Sequence, residues 1–129
     1  MNEPRPAPSF WERARTEPGR VVVIDADERE WTAGDLLQRC DALSAAMQAL
    51  GLEHGDSVAV VAPNHVDTLC LALAVTQIGC YFVPVSDRST ASEISYVVDN
   101  CSARFLFAEA AVLERWPDAG TWLPAGHLV

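Results

Sequence analysis

The chain has 129 residues, half of them apolar and a fifth charged, which is the composition of one globular domain rather than a disordered segment. Eighteen acids face nine basic residues, every one an arginine, for a net charge of -9. That balance disfavours nucleic-acid binding, whose affinity comes mainly from neutralising phosphates, and the missing lysine removes a side chain that most phosphate-activating chemistry uses.

Residues 1–9 read as a flexible arm with three prolines, Pro4, Pro6 and Pro8, and no apolar stretch of the kind a signal peptide carries. Phe10 to Arg15 reads as a short helix bringing Phe10 and Trp11 to the core. Val21 to Asp25 is a β-branched run, followed by the acidic turn Asp25-Ala26-Asp27-Glu28 and a second short strand at Arg29 to Thr32. Two strands joined in this way predict a hairpin. Asp25, Asp27, Glu28 and Glu30 lack the glycine and the spacing of a calcium loop and read as a solvated turn.

Three helix starts repeat one chemistry: Thr32 precedes Asp35 by three, Asn64 precedes Asp67, and Thr90 precedes Glu93. Each is a capping box or a near variant, with a side-chain acceptor for an orphan amide and an acid at the positive helix end. After the first start, Leu36, Cys40, Leu43, Met47 and Leu50 form one apolar helix face, which Gly51 ends. Ser57 to Val61 is an apolar strand. The next helix, about His65 to Ile78, is apolar on nearly every face, so it is buried all round or forms an interface. Gly79 stops it, and Tyr81 to Val85 is a strand. A further helix over about Ala91 to Asn100 turns Ile94, Val97, Val98 and Cys101 inward, and Arg104 to Phe107 is the last clear strand. From Ala108 onward the pattern weakens, with Trp116-Pro117 and Trp122-Leu123-Pro124 as punctuation and Leu128-Val129 as the start of another element.

Strands alternating with helices predict an α/β fold, a parallel sheet with helices on both faces, the three-layer αβα arrangement. Cys40, Cys70, Cys80 and Cys101 contain no Cys-x-x-Cys pair, and they read as core thiols of a reducing compartment rather than disulfides or metal ligands. His54, His65 and His127 have no ligand spacing, so no metal site is expected. Trp11, Trp31, Tyr81 and Phe82 read as core or interface residues. The run from Val66 to Cys80 is too short and too polar to span a bilayer, and the protein is expected to be cytoplasmic.

The stretch Thr76-Gln77-Ile78-Gly79-Cys80-Tyr81-Phe82-Val83-Pro84-Val85-Ser86-Asp87 resembles the second core motif of adenylate-forming enzymes, the group of acyl-CoA synthetases, luciferases and peptide-synthetase adenylation domains. Trp31-Thr32-Ala33-Gly34-Asp35-Leu36 is similar to their first core motif. Leu50-Gly51-Leu52, Gly55-Asp56-Ser57-Val58-Ala59-Val60 and Pro63-Asn64 fall in the family's order between the two. The run from Arg88 to Val97 is similar to the acyl-CoA ligase branch.

The resemblance implies an N-terminal α/β subdomain over residues 10–129, incomplete and lacking the catalytic remainder. It implies a two-step ligase in which a carboxylate and ATP give an acyl-adenylate, and coenzyme A then displaces AMP, with Mg²⁺ offsetting charge on the leaving pyrophosphate. ATP, Mg²⁺ and coenzyme A belong to the intact enzyme. The seven glycines never come closer than four apart, so no phosphate-cradling loop is present and no catalytic or metal-binding residue is expected here. The expected partner is the remainder of such an enzyme.

Arg88, after the strand ending at Val85, stands where the ligase branch has an arginine near the coenzyme A phosphates, and it is the one candidate substrate-binding residue. Its ordinary reading is a solvated arginine pairing with Asp87 or Glu93. Ser86-Asp87, where ligases usually have Asn-Pro, weakens the carry-over. The alternative function is a free-standing, non-catalytic module for partner binding or homodimerisation through the apolar helix. A small flavodoxin-like nucleotide-binding protein ranks last, because no Gly-rich first turn is present.

Overall fold

In a computed structural model, residues 3–4, 6–116, 118 and 127–128 are described. The order is α1 (Phe10–Thr16), β1 (Val21–Ile24), β2 (Glu30–Thr32), α2 (Ala33–Ala49), β3 (Ser57–Val61), α3 (Val66–Gln77), β4 (Tyr81–Val85), α4 (Ala91–Asn100), β5 (Phe105–Ala108), α5 (Ala110–Arg115) and β6 (His127–Leu128). The expected α/β class and the hairpin are both present. Pro117 and the Trp122–Pro124 stretch lie outside the described residues.

β1 and β2 form the antiparallel hairpin, and the other strands make a parallel sheet in the order β4-β3-β5-β6. The chain runs from β3 outward to β4, then back across to β5. Two crossovers of one hand in opposite directions put their helices on opposite faces of the sheet. Two clusters show this. Cys70, Leu71, Ala74 and Val75 of α3 pack with α2 on Val58, Val60 and Phe105. Ile94 and Val98 of α4, with Val112 of α5, pack on Ala59, Val61 and Leu106. These are the three layers.

Helix ends follow the sequence closely. Thr32 with Asp35 and Thr90 with Glu93 form full capping boxes, and Ser9 with Glu12 adds one that the sequence reading did not single out. The third expected cap differs. His65, not Asn64, caps α3, its Nδ1 accepting the Asp67 N–H at 3.2 Å. Both side chains offer an acceptor at neighbouring positions, and the backbone turns one residue later than Pro63-Asn64 suggests.

At the other end of α2, the Gly51 N–H bonds the Gln48 carbonyl and the Leu52 N–H bonds the Met47 carbonyl. This double bond pattern buries Leu52 against Met47. Leu50, expected on the buried face, is the C-cap residue and is 50% exposed. Gly79 closes α3 in the same way, with bonds to Thr76 and Val75. α5 was not anticipated: it has six residues and one buried side chain, Val112, too little periodicity to read.

β4 is an outer strand of its sheet. The Tyr81 N–H bonds the Asp56 carbonyl, so alternation turns residues 81, 83 and 85 toward β3 and residues 82 and 84 toward the open edge. Pro84 has no N–H to present there, which blunts the edge against strand addition. Tyr81, expected in core or interface, is 65% exposed.

Candidate functional site

The strand order reverses direction between β3 and β5, and ligands of open parallel sheets tend to bind beyond the carboxyl ends of the strands at such a point. Here those ends carry Ala62-Pro63 after β3, Ser86–Thr90 after β4 and Glu109 after β5. Two clefts open at this edge. One, of about 390 Å³, lies between β3 and β5 and is lined by His65, Asp67, Thr68, Phe107 and Glu109. The larger, about 910 Å³, runs between α3 and β4 over an apolar floor of Val60, Leu69, Ala72, Phe82 and Pro84, with Arg88 at its rim.

Arg88 is exposed, and its backbone N–H bonds the Ser86 hydroxyl at 3.2 Å. Its guanidinium makes no ion pair among the described residues. The expected pairing with Glu93 does not form, because that carboxylate is held by the Thr90 N–H at 2.7 Å. The Asp87 carbonyl accepts a hydrogen bond from Arg115 at 2.8 Å, which ties α5 to the loop that carries Arg88. The sequence thus placed Arg88 at the mouth of the sheet correctly, while its lack of an anionic partner depends on three-dimensional packing.

Several other polar side chains near this end are committed to structure. Asp67 meets Arg39, which also lies over the Trp31 ring at 4.9 Å. Arg29 covers the same ring at 3.8 Å. The Thr68 hydroxyl donates to the Pro63 carbonyl. In the hairpin turn, the Asp25 carboxylate accepts the Trp31 indole N–H at 2.9 Å and the backbone N–H groups of Asp27 and Arg29. The indole bond, more than any other, holds Asp25 below the usual carboxylate range. This is a structural turn, as expected, and no converging set of three His, Cys, Asp or Glu side chains exists among the described residues. The residues present do not fit ATP with Mg²⁺. For the phosphates of coenzyme A the fit is one of kind alone: an exposed guanidinium that makes no ion pair among the described residues, with Asp87 lining the same cleft.

All four cysteines are free thiols, three of them buried. The Cys40 thiol, pushed up to about 12 by burial and then by the neighbouring Cys70, is no nucleophile. No helix of the described residues is long and apolar enough to cross a membrane.

Comparison with known proteins decides the family. Residues 10–123 match the AMP-binding enzyme family. The chain belongs to that family. It is 32% identical over 114 residues to 3-[(3aS,4S,7aS)-7a-methyl-1,5-dioxo-octahydro-1H-inden-4-yl]propanoyl:CoA ligase of Mycobacterium tuberculosis, covering 88% of this chain and 22% of the relative. It is 25% identical over 116 residues to the hybrid PKS-NRPS synthetase thnA of Trichoderma harzianum, covering 90% of this chain and 3% of that one. Among solved structures, the N-terminal subdomain of Klebsiella oxytoca NpsA, in complex with 3-hydroxyanthranilyl-AMSN, superposes with a TM-score of 0.75 at 29% identity. That match covers 93% of this chain and 28% of the solved subdomain. The chain therefore spans about a quarter or less of the proteins it resembles. Both ligases and peptide-synthetase enzymes are among its relatives.

Proposed function

We propose that this chain is the N-terminal portion of an ATP-dependent acyl-CoA synthetase and serves as scaffold rather than as chemistry. The carrying observation is the family match over residues 10–123 in a chain with no lysine and no Gly-rich loop. The first core motif, Trp31 to Leu36, forms the junction of hairpin and α2. The second, Thr76 to Asp87, forms the close of α3, strand β4 and the loop toward Arg88. Both motifs are thus spent on building the sheet and aiming its mouth. Buried free thiols suit the reducing cytoplasm.

ATP, Mg²⁺ and coenzyme A supply the activating and acyl-accepting chemistry in the intact enzyme. This chain's contribution to them is Arg88, which approaches the coenzyme phosphates. The purified 129-residue chain is expected to catalyse no carboxylate-dependent ATP–pyrophosphate exchange, and measurable exchange would overturn the scaffold reading. In the longer enzyme, Arg88→Gln is expected to raise KM for coenzyme A about tenfold, the scale of one charge-assisted hydrogen bond, with kcat for adenylation unchanged. An unaltered KM would remove Arg88 from the site.

A further inference from the structure

Among the described helices, α1, α2, α3 and α4 begin with a side-chain cap, and three of those caps are hydroxyls that do not titrate: Ser9, Thr32 and Thr90. The fourth is His65, at the start of α3. Each hydroxyl belongs to a full capping box, in which an acid at the third helical position reaches back to the cap N–H. α3 has Thr68 at that position, and its hydroxyl donates to the Pro63 carbonyl at 3.0 Å instead. The first turn of α3 is therefore fastened by one titratable acceptor, the Nδ1 lone pair of His65, which receives the Asp67 N–H at 3.2 Å.

That bond fixes the state of the ring. An accepting Nδ1 belongs to a neutral imidazole whose proton is on Nε2. Protonation turns Nδ1 into a donor, which can no longer receive the Asp67 N–H. The new donor finds a carboxylate already in place, because Oδ2 of Asp67 lies 3.3 Å from the same Nδ1. Arg39 of α2 holds the other oxygen, Oδ1, so the ion pair forms without displacing it. Two effects work against the charged ring as a helix start. The Asp67 N–H loses its acceptor, and a cation sits at the positive end of the helix. An ion pair this exposed offsets them only in part. The other charged groups near the ring are Glu109, which lines the cleft between β3 and β5 with it, and Asp87 and Arg88, which line the larger cleft with it. No hydrogen bond joins these three side chains to the ring among the described residues.

We propose that His65 is a proton-operated catch on the start of α3. Neutral, it holds the first turn through the Asp67 N–H. Protonated, it lets that N–H go and pairs with the Asp67 carboxylate, which loosens the segment from Pro63 to Asp67. His65 lines both clefts, so the catch stands where they meet at the mouth of the sheet. This goes beyond the ligase reading and does not rest on it, since the catch needs no substrate or coenzyme.

Nuclear magnetic resonance on the isotopically labelled 129-residue chain, from about pH 8 down to about pH 5, tests the catch. The ring nitrogen shifts are expected to report a proton on Nε2 at the upper pH. The Asp67 amide proton is expected to move upfield along the same titration curve as the His65 ring. Its exchange, corrected for the intrinsic pH dependence, is expected to quicken roughly threefold. The Asp35 and Glu93 amides, held by threonine hydroxyls, are expected to stay in place in the same spectra. In His65→Asn, which keeps an acceptor that does not titrate, the Asp67 amide is expected to stay in place as well. A proton on Nδ1 at the upper pH overturns the proposal, as does an Asp67 amide that ignores the His65 titration. Equal movement of the Asp67 amide in His65→Asn also overturns it, because the cause then lies in another group. Should that variant fail to fold, the two threonine-capped amides decide the matter, and movement there equal to that at Asp67 overturns the catch.

Discussion

The hydroxyl of Ser44 on α2 donates to the carbonyl of Ala74 on α3 at 3.0 Å, and one turn earlier the Cys40 thiol donates to the Cys70 carbonyl at 3.4 Å. Small donors one turn apart on α2 thus hold matching positions on α3, and the two helices pack closely where larger side chains would separate them. Ser44 also accepts from the Gln77 amide at 2.6 Å, and the other end of that amide accepts the Trp11 indole N–H. One hydroxyl therefore links three helices. Ser44→Ala is expected to cost about 1–2 kcal/mol in urea unfolding, the range for a buried hydrogen bond with one partner removed. A cost near zero would mean that Asp41, the second acceptor for Gln77, carries the network alone.

Three helices end in the same double bond pattern, but only two use glycine. Gly51 and Gly79 have φ of 101° and 75°, whereas α4 closes on Ser102 with φ 52°. Its N–H bonds Asp99, and the Ala103 N–H bonds Val98. A left-handed backbone costs a residue with a side chain roughly 1 kcal/mol, which glycine avoids while losing part of that gain to a freer unfolded chain. Ser102→Gly is expected to stabilise the protein by about 0.5–1 kcal/mol in thermal or urea unfolding. Gly79→Ala runs the other way, and more strongly, since a Cβ there would lie 2.2 Å from the His54 ring.

The αβα layering, the hairpin and two of the three expected caps were legible because each rests on local chemistry: alternation, a box of cap residues, a stop residue. Leu50 misled because four-three spacing continues through the last turn on paper, while the chain leaves the helix there and uses Leu52 instead. Asn64 misled because cap identity depends on where the backbone turns, which neighbouring acceptors leave open. Of the candidate site, the sequence placed Arg88 at the mouth of the sheet. It could not show that Glu93 is tied to Thr90, nor that Arg115 reaches back to the loop, because those contacts are made in space.

The hairpin is expected to weaken in acid through Asp25. Hydrogen bonds from the Trp31 indole, then from backbone N–H groups, hold its carboxyl below the usual 3.8 in the folded chain. A depressed folded value means stability present above 3.8 and lost as pH falls through the folded value. Asp25→Asn keeps the shape but no longer presents a charged oxygen to the indole. Its urea midpoint should fall at pH 7, and the difference from the parent should shrink as pH drops below about 4. A constant difference at all pH values would show that shape, not charge, closes the turn.

Cys40 sets the opposite limb. Burial, then the neighbouring Cys70, pushes its thiol from the ordinary 9.0 up to about 12. An unfolded chain releases that proton first, so the contribution of Cys40 to stability is intact below pH 9 and declines as pH rises toward 12. The other three thiols are also raised, mainly by burial, but Cys101 is only half-buried at the C-cap of α4. Alkylation with iodoacetamide at pH 8.5, followed by peptide mass spectrometry, should therefore modify Cys101 first. Cys40 and Cys70, both at zero exposure, should react only as fast as the whole domain opens, so their rates should rise together with added urea. Cys40→Ala removes the ionisation, and its alkaline limb should be flatter than the parent's even though the lost volume lowers stability at neutral pH by about 1–2 kcal/mol. Labelling of Cys40 at a rate independent of urea would mean that the α2–α3 seam opens locally, and that the close pairing of these helices is not part of the cooperative core.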